Sequence, residues 1–372
     1  MIDKKMLAGM FLINYKTKNN RFYITIFIAA AGGFLFSLLG IPIPWLLGPM
    51  SAVLISSKAG GFEAFWPKPI RDAGLVLLGY SIGLSLTKEA VIQIVGKLPI
   101  MLILTIILIS FCAGIAFFVS KLSGIDYPTV LTGSIPGGLS QMITFSEEAK
   151  GIDLTVVTFL QVTRVIIIIF SVPFLISSPL FYHSSVGSKL DITEQTGSLF
   201  PNFLIFAGLC LIFAFIGKKL NAPTPFLLGP IVGTAVLTIS GYNGPELPTF
   251  LLDLSQFMIG SHIGLMLKPE KLENKTKILT LAIGSGIVMV LGSLGMSMLL
   301  VHFYDITPAT SFLSLTPGGA DQMAILAHEV QADLSMVAGF QLFRLLFIFF
   351  AVPPFLRWIF KKKLLKNTDK PA

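Results

Sequence analysis

The stretches "SIPGGLSQM" (134–142) and "LTPGGADQM" (315–323) decide the fold of this chain. Each is a polar, helix-breaking nonapeptide inside a largely apolar region, and each has Pro-Gly-Gly near its centre. A single copy would be interpreted as a loop. Two copies at matched places predict two similar halves that share one site.

Further blocks repeat in the same order at nearly the same spacing. "IPIPWLLGPM" (41–50) matches "APTPFLLGPI" (222–231) at the offset of 181 residues that separates the two Pro-Gly-Gly segments. The other matched pairs are "RDAGLVLLGYSIGLSL" (71–86) with "LDLSQFMIGSHIGLML" (252–267), and "DLTVVTFLQVTRV" (153–165) with "DLSMVAGFQLFRL" (333–345). Because self-similarity at a fixed spacing indicates repeated architecture, we predict an internal duplication.

The composition is that of a membrane protein. The 372 residues are 54% hydrophobic and 12% charged, whereas an ordinary soluble domain is about 25% charged. The mean hydropathy is +0.83. Several apolar runs reach or approach the roughly 20 residues that span a bilayer: 22–40, 99–120, 153–176, 201–216 and 333–356. We therefore predict an all-α, multi-pass membrane protein in contact with the lipid bilayer.

The positive charge fits a membrane orientation signal rather than nucleic-acid binding. The net charge of +8 arises from lysines and arginines in tails and short loops, where the positive-inside rule places them. No nucleic-acid partner is predicted. Cys112 and Cys210 lie in apolar runs and are interpreted as buried thiols.

Each half is predicted to hold about five transmembrane helices and one re-entrant Pro-Gly-Gly segment. If that segment returns to the side from which it enters, the halves are inverted, with 22 of the 27 lysines and arginines in the cytoplasm and three outside. If the segment crosses the membrane fully, the halves are parallel, with 16 lysines and arginines in the cytoplasm and nine outside. Because positive residues accumulate in cytoplasmic loops, we favour two inverted repeats with both termini in the cytoplasm.

The predicted order of segments follows from this topology. It is a cytoplasmic N-terminal tail (1–21), membrane repeat 1 (22–176), a polar linker (177–198), membrane repeat 2 (199–356) and a basic cytoplasmic tail (357–372).

The two Pro-Gly-Gly segments are the first candidate binding site. Transporters built from inverted repeats form their sites near the midplane, where Gly/Pro-interrupted segments meet. A helix that starts after each segment directs its positive dipole end to the centre, which suits an anion. The alternative is a tight turn between two short packing helices. The predicted substrate-binding residues here are Pro136, Gly137, Gly138, Gln141, Pro317, Gly318, Gly319 and Gln322.

Two arginines are predicted to complete this site. Arg164 lies 11 residues after Asp153, about 16 Å along a helix, and Arg344 holds the matching place in the second half. An arginine at this depth is costly and therefore a functional candidate. Gln161 and Gln341 precede the arginines by three residues and share their helix face. The alternatives are an anion-binding role, a structural salt bridge, or a clamp on backbone carbonyls between helices.

Other polar residues in apolar surroundings are candidates for a coupling ion: Asp72, Asp253, Asp321 and His262. For Asp72 and Asp253 the alternative is N-capping of a helix, and for His262 it is a hydrogen-bonded structural histidine. Asp321 replaces Ser140 of the first half. The pairs Gly48-Pro49 and Gly229-Pro230 indicate either a second discontinuous helix in each half or a kinked packing helix.

The doubled "PxPxLLGP" and "PGGxxQM" blocks, together with Arg164 and Arg344, resemble the AbrB-type integral membrane proteins over about residues 21–358. These bacterial duplicated proteins are often labelled ammonia monooxygenases or regulators, and they differ from the small DNA-binding regulator of similar name. The resemblance implies a duplicated domain in the bacterial cytoplasmic membrane. It carries over no substrate and no site residue.

We expect a secondary transporter or permease for a small, anionic solute, acting by alternating access around the paired Pro-Gly-Gly segments. No Gly-x-x-x-x-Gly-Lys-Ser/Thr motif occurs, so energy would come from an ion gradient or from the solute's own gradient. One alternative is a regulatory or sensor protein that affects gene expression indirectly, and a homo-oligomer is compatible with either role.

The other alternative is a monooxygenase-type membrane enzyme, for which the sequence offers little. The four histidines are scattered: His183, His262, His302 and His328. We therefore predict no catalytic residue, no metal site and no cofactor.

Overall fold

The structure, a computed structural model, describes residues 4–59, 63–137, 142, 145–146, 151–178, 181, 199–266, 275–304 and 306–368. Within these ranges the regular secondary structure is helical and no β-strand occurs. The prediction of an all-α fold is confirmed.

Fourteen helices can be given bounds in the described ranges. In the first half they are α1 (Lys4–Leu38), α2 (Pro44–Ala59), α3 (Lys68–Ser85), α4 (Lys88–Gly96), α5 (Leu98–Ser123), α6 (Tyr127–Ser134) and α7 (Leu154–Ile176). In the second half they are α8 (Leu199–Lys219), α9 (Pro225–Ile239), α10 (Thr249–Gly264), α11 (Lys275–Tyr304), α12 (Pro308–Leu315), α13 (Ala320–Glu329) and α14 (Leu334–Thr368). α1 starts before the predicted position 22, and α14 continues past 356.

Local signals explain where several helices begin and end. Asp153 caps α7, because its Oδ1 accepts hydrogen bonds from the backbone N–H groups of Thr155 and Val156 at 2.8 and 3.2 Å. Asp333 caps α14 in the same manner, accepting from the N–H of Met336 at 3.0 Å. Gly124, at φ +80°, ends α5 in the left-handed conformation that glycine adopts without strain.

In the described part of the chain, five helices are long and apolar enough to cross a membrane: Asn19–Leu38, Leu98–Ser123, Leu154–Ile176, Thr276–Tyr304 and Leu334–Arg357. α3 and α4 meet at an 84° bend and count as a sixth span if they are taken as one. The segments Pro44–Ser57 and Pro225–Ile239 are apolar but shorter. The membrane character of the chain is therefore supported, whereas ten crossings and their inverted arrangement remain predictions.

The chain divides into two compact units, and each contains residues from both predicted repeats. The first comprises Met1–Leu77 and Leu247–Leu267. In it α2 packs against both α1 and α10. Close approach depends on glycine, since a Cβ at Gly48 would lie 2.4 Å from the Gly32 carbonyl oxygen and a Cβ at Gly260 would lie 2.4 Å from that of Leu46. The repeat boundaries themselves remain a prediction.

The second unit comprises Leu78–Glu246 and Lys268–Ala372. In it α11 packs on α5 and α7, α6 packs on α7, and both α12 and α13 pack on α14. α8 and α9 pair closely, because a Cβ at Gly229 would lie 2.4 Å from the backbone nitrogen of Ala214. Both Pro-Gly-Gly segments and both mid-helix arginines belong to this unit.

The hypothesis of a second discontinuous helix in each half is wrong. Pro49 lies inside the continuous helix α2, and Pro230 lies inside the continuous helix α9. The neighbouring Gly48 and Gly229 are the points at which these helices touch α1 and α8. The Gly-Pro pairs therefore serve close helix packing, as the alternative proposed.

Candidate functional site

Each Pro-Gly-Gly segment follows a short helix that ends inside the second unit. α6 ends at Ser134, and the chain turns so that the Gly137 N–H donates to the Ile135 carbonyl at 2.8 Å. α12 ends at Leu315, and the Gly318 N–H donates to the Thr316 carbonyl at 2.9 Å. Pro136 and Pro317 stand at the centres of these turns. Gly138 and Gln141 lie outside the described residues.

A helix restarts directly after the second segment, as predicted. α13 begins at Ala320 with Gly319 at its N-cap, and no side chain caps it. Gln322 lies in its first turn and is 5% exposed. The first N–H groups of a helix lack partners within the helix, so at this break they need acceptors from outside α13.

In the first half, Gln161 and Arg164 of α7 hold the broken end of α6. The Gln161 side-chain Nε2 donates to the carbonyls of Thr132 and Ile135 at 3.0 and 2.9 Å. Arg164 Nη1 donates to the Ser134 carbonyl at 3.0 Å, and its Nη2 donates to Gln161 Oε1 at 2.6 Å. Both side chains are buried, at 1% and 5% exposed.

The second half repeats this clamp with more contacts. Gln341 Nε2 donates to the Leu313 and Thr316 carbonyls at 2.7 and 3.1 Å. Arg344 Nη1 donates to Leu315 at 3.1 Å, and its Nη2 donates to Thr316 and Gly318 at 3.1 and 3.4 Å. The same Nη2 also donates to Gln341 Oε1.

These contacts identify what the arginines do in the folded chain. The last carbonyls of a helix lack donors and carry negative partial charge, so a buried guanidinium both satisfies and neutralises them. Among the described residues the ion pairs join Arg21 to Glu63 and Arg71 to Asp72. Arg164 and Arg344 are therefore anchored by backbone carbonyls, which is the clamp alternative. Direct binding of substrate by these arginines stays a prediction.

The two breaks lie against helices of the opposite half. A Cβ at Gly318 would lie 3.3 Å from Ile168 on α7, and one at Gly137 would lie 3.2 Å from Ile348 on α14. Ile168 and Ile348 each follow an arginine by four residues and share its helix face. Each arginine therefore clamps one break and lies about one turn from the other. Arg164, Arg344 and the fully buried Cys112 lie in the same unit of the structure.

Unpartnered polar atoms concentrate in this region. Eight buried side-chain nitrogen or oxygen atoms of the described residues lack a hydrogen-bond partner, and five of them are on α7, α12 and α13. They are Thr163 Oγ1, Arg164 Nε, Ser311 Oγ, Ser314 Oγ and Gln322 Oε1. Because buried polar groups are nearly always paired, each of these atoms indicates a place where a polar ligand or water is needed.

Sequence reasoning missed Thr163, Ser311, Ser314 and the position of Cys112. The serines lie three residues apart in the short helix α12, and that spacing is the one signal that could have found them. Cys112 gave no signal, since a thiol in an apolar run is ordinarily a packing residue.

Three of the coupling-ion candidates belong to the first unit and therefore not to the unit that holds the breaks: Asp72, Asp253 and His262. N-capping is wrong for both aspartates, because α3 begins at Lys68 and α10 at Thr249. Asp72 instead lies 3.6 Å from Arg71. His262 Nδ1 is buried without a partner, which disagrees with the hydrogen-bonded alternative for that atom. No role as an ion carrier follows from these contacts.

Asp321 is the candidate that lies at the breaks. It is in the first turn of α13, and its Oδ2 accepts a hydrogen bond from Gln322 Nε2 at 2.7 Å. No group of three His, Cys, Asp or Glu side chains suited to a metal ion occurs in the described part of the chain.

Comparison with known proteins gives the family. The profile described as "Transition state regulatory protein AbrB" matches residues 45–360. The chain is similar to "Uncharacterized protein YhjN" of Bacillus subtilis (strain 168), with 27% identity over 357 residues, covering 89% of this chain and 91% of the relative. It is also similar to "Putative regulator AbrB" of Escherichia coli (strain K12), with 27% identity over 323 residues, covering 86% and 90%. This chain, with its apolar helices and paired breaks, belongs to the AbrB family.

Proposed function

We propose that this protein is a secondary transporter or permease for a small, anionic solute, which binds between the two Pro-Gly-Gly breaks. The observation that carries the proposal is the set of five buried, unpartnered polar atoms on α7, α12 and α13. These helices are the ones that form or touch the breaks. A solute with several acceptor atoms would satisfy the donors among them.

The surroundings of these five atoms favour transport over a purely structural role. Irregular backbone at membrane depth is tolerated where it is buried in protein or lines a wet cavity. Transporters use broken helices in this way, with free helix ends that recognise solute and ions. In the proposed mechanism one repeat rocks against the other, so that the site opens to each side of the membrane in turn.

The charge of the site favours an anion. Arg164 and Arg344 are both buried and have no carboxylate among their described hydrogen-bond partners. A bound anion would balance the buried positive charge of these two side chains. Arg164 Nε, Ser311 and Ser314 would then donate to the solute, while the remaining N–H groups of the arginines keep their hold on the carbonyls.

The test is solute flux into proteoliposomes, with a panel of small carboxylates, phosphate and sulfate. Ser311→Ala, Ser314→Ala and Thr163→Val remove the unpartnered hydroxyls while leaving the clamps intact. We expect each to lower flux several-fold, whereas Ser293→Ala is the matched control. Ser293 is fully buried, but its hydroxyl already donates to the Met289 carbonyl at 2.9 Å.

Two outcomes would contradict the proposal. One is the absence of flux for every solute in the panel. The other is unchanged flux in folded Arg164→Ala and Arg344→Ala proteins, which would contradict an anion site at these arginines. Folding of each variant is checked by size-exclusion chromatography and thermal unfolding.

A regulatory role is the second candidate, because the Escherichia coli relative is named as a regulator. In our proposal such an effect on gene expression is indirect and follows from the solute moved. A folded variant with lowered flux, such as Ser314→Ala, should then show a reduced transcriptional effect compared with the wild-type protein. If the effect persists undiminished, regulation is the primary role. We propose neither an enzymatic activity nor a cofactor.

A further inference from the structure

Two side-chain oxygens converge at the start of α13. A Cβ placed on Gly319 would lie 1.9 Å from Gln322 Oε1 and 2.4 Å from Asp321 Oδ1. Both oxygens therefore occupy the space that a side chain at residue 319 would need. They are close enough together to be ligands of a single small ion at about 2.4 Å each.

The orientation of the Gln322 amide is fixed by its neighbour. Its Nε2 donates to Asp321 Oδ2 at 2.7 Å, so its Oε1 is directed away as an acceptor. That oxygen is buried and has no hydrogen-bond partner, in a side chain that is 5% exposed. A buried acceptor without a partner is costly, and beside a carboxylate it would be stabilised by a hydrogen-bond donor or by a cation.

We propose that Asp321 and Gln322 form a binding site for a monovalent cation of the sodium type, with oxygen ligands. One carboxylate and one neutral amide suit a single positive charge, because divalent sites of this kind commonly recruit more carboxylates. Arg344, which donates to the Gly318 carbonyl at 3.4 Å, adds positive charge nearby. This charge opposes a dication more strongly than a monocation.

The site belongs to the second half alone. Ser140 stands where the first half would need the aspartate. The inference therefore assigns one cation to each chain. Its coupling role rests on the proposed function: a cation at Asp321 and an anion at the arginines favour each other's binding, and such coupling is reciprocal.

The experiment measures cation binding by the purified full-length protein, without any solute. Thermal unfolding is recorded at constant ionic strength and chloride concentration while choline is replaced stepwise by sodium, lithium or potassium. We expect a saturable rise in the unfolding temperature of the wild-type protein with at least one of these cations. Calorimetric titration with the same chloride salt checks the stoichiometry, which should be close to one.

Three variants locate the site. Asp321→Asn should abolish the cation-dependent rise, and Gln322→Leu should weaken apparent affinity by about tenfold or more, which is the loss of one good ligand. Gly319→Ala should also weaken it, because the added methyl group displaces both oxygens. Asp126→Asn is the control, since Asp126 is an exposed carboxylate before α6 that makes no capping hydrogen bond.

The inference is overturned if the wild-type protein shows no cation-specific rise, or if the rise is unchanged in Asp321→Asn. Stabilisation that follows pH but not the metal cation would also overturn it, because it would identify Asp321 as a proton site. Since solute is absent, failure here leaves the permease proposal standing. Conversely, cation binding without anion flux would contradict the permease and leave this site intact.

Discussion

Gly318 packs against Ile168, which comes from the other half of the chain, with only 3.3 Å between the position of a Cβ and Ile168 Cγ2. Gly137 has the corresponding relationship to Ile348. Each break is thus anchored by an arginine of its own half and packed on a helix of the opposite half. A movement of either Pro-Gly-Gly segment would therefore change the packing around both Arg164 and Arg344.

Close helix contact at Gly229 should be sensitive to a single methyl group. Gly229→Ala would place a Cβ 2.4 Å from the Ala214 backbone nitrogen, and we expect a loss of about 1–3 kcal/mol. Gly114→Ala is the control, because Gly114 is an exposed glycine of α5 with nothing within 4 Å. At position 114 the higher helix propensity of alanine should stabilise the protein. Thermal unfolding in detergent measures both, and equal effects would contradict the packing argument.

The two arginine clamps should differ in strength. Arg344 donates to three backbone carbonyls, whereas Arg164 donates to one. Arg344→Leu should therefore destabilise the protein more than Arg164→Leu does. The difference in the free energy of unfolding should be about 1–3 kcal/mol for each additional carbonyl left unsatisfied. Comparison of the two unfolding temperatures decides the point. An equal or reversed order would show that the carbonyl contacts do not carry the stability.

Backbone strain at two matched positions should be relieved by glycine. Ile43 and Thr224 precede prolines at φ +51° and +43°, a region that β-branched residues avoid. Ile43→Gly and Thr224→Gly should stabilise the protein if the strain, about 1–3 kcal/mol, exceeds the packing that is lost. Thr224 is the cleaner case, since its hydroxyl is buried without a partner.

Thr87→Gly is the control for this prediction. Thr87 caps α4 at φ −70° and accepts from the Ala90 N–H at 3.3 Å. Its replacement should lower stability slightly. A lowered unfolding temperature in Thr224→Gly as well would contradict the strain argument.

The solute-free protein should tolerate loss of an unpartnered hydroxyl. Ser314 is 1% exposed and its Oγ has no partner, so Ser314→Ala removes a desolvation cost and should leave stability unchanged or raised. The same change should lower flux, which is the trade-off expected at a binding site. Ser293→Ala should show the opposite pattern, with stability reduced and flux retained. A large loss of stability in Ser314→Ala would indicate a structural hydroxyl.

The inverted topology predicts that Asp126 and Thr307 face opposite sides of the membrane. Both are exposed residues at equivalent places, before α6 and α12. Asp126→Cys and Thr307→Cys can be labelled with a membrane-impermeant thiol reagent in intact cells, because the native Cys112 and Cys210 are buried. We expect only Thr307→Cys to react from outside. Labelling of both or of neither would support parallel halves.

The positions of the helices were predictable because each long apolar run has few alternatives in a membrane protein. The breaks were equally visible, since Pro136 and Pro317 cannot continue a helix when followed by glycine. The start of α13 directly after Gly319 followed from the same reasoning. These features depend on residues near in sequence.

The features that were harder to predict depend on contacts between residues far apart in the sequence. A clamp on backbone carbonyls was among the alternatives for Arg164 and Arg344, but no motif indicates which carbonyls of α6, α12 and the turn after α12 accept. Pro49 and Pro230 suggested broken helices, but tight packing of Gly48 and Gly229 on neighbouring helices accompanies continuous ones.

The early start of α3 is a different case. Its signal was present in the sequence, because Pro69 lies in the first turn, where proline is favoured. This early start excludes the N-capping alternative for Asp72.

The order of the clamps along the chain bears on biogenesis. Arg164 and Arg344 lie in helices that follow, rather than precede, the short helices whose carbonyls they hold. An arginine entering the bilayer alone would cost about 3 kcal/mol at the translocon. Since α6 and α12 emerge from the ribosome first, their carbonyls are in place when the arginine-bearing helix, α7 or α14, is inserted.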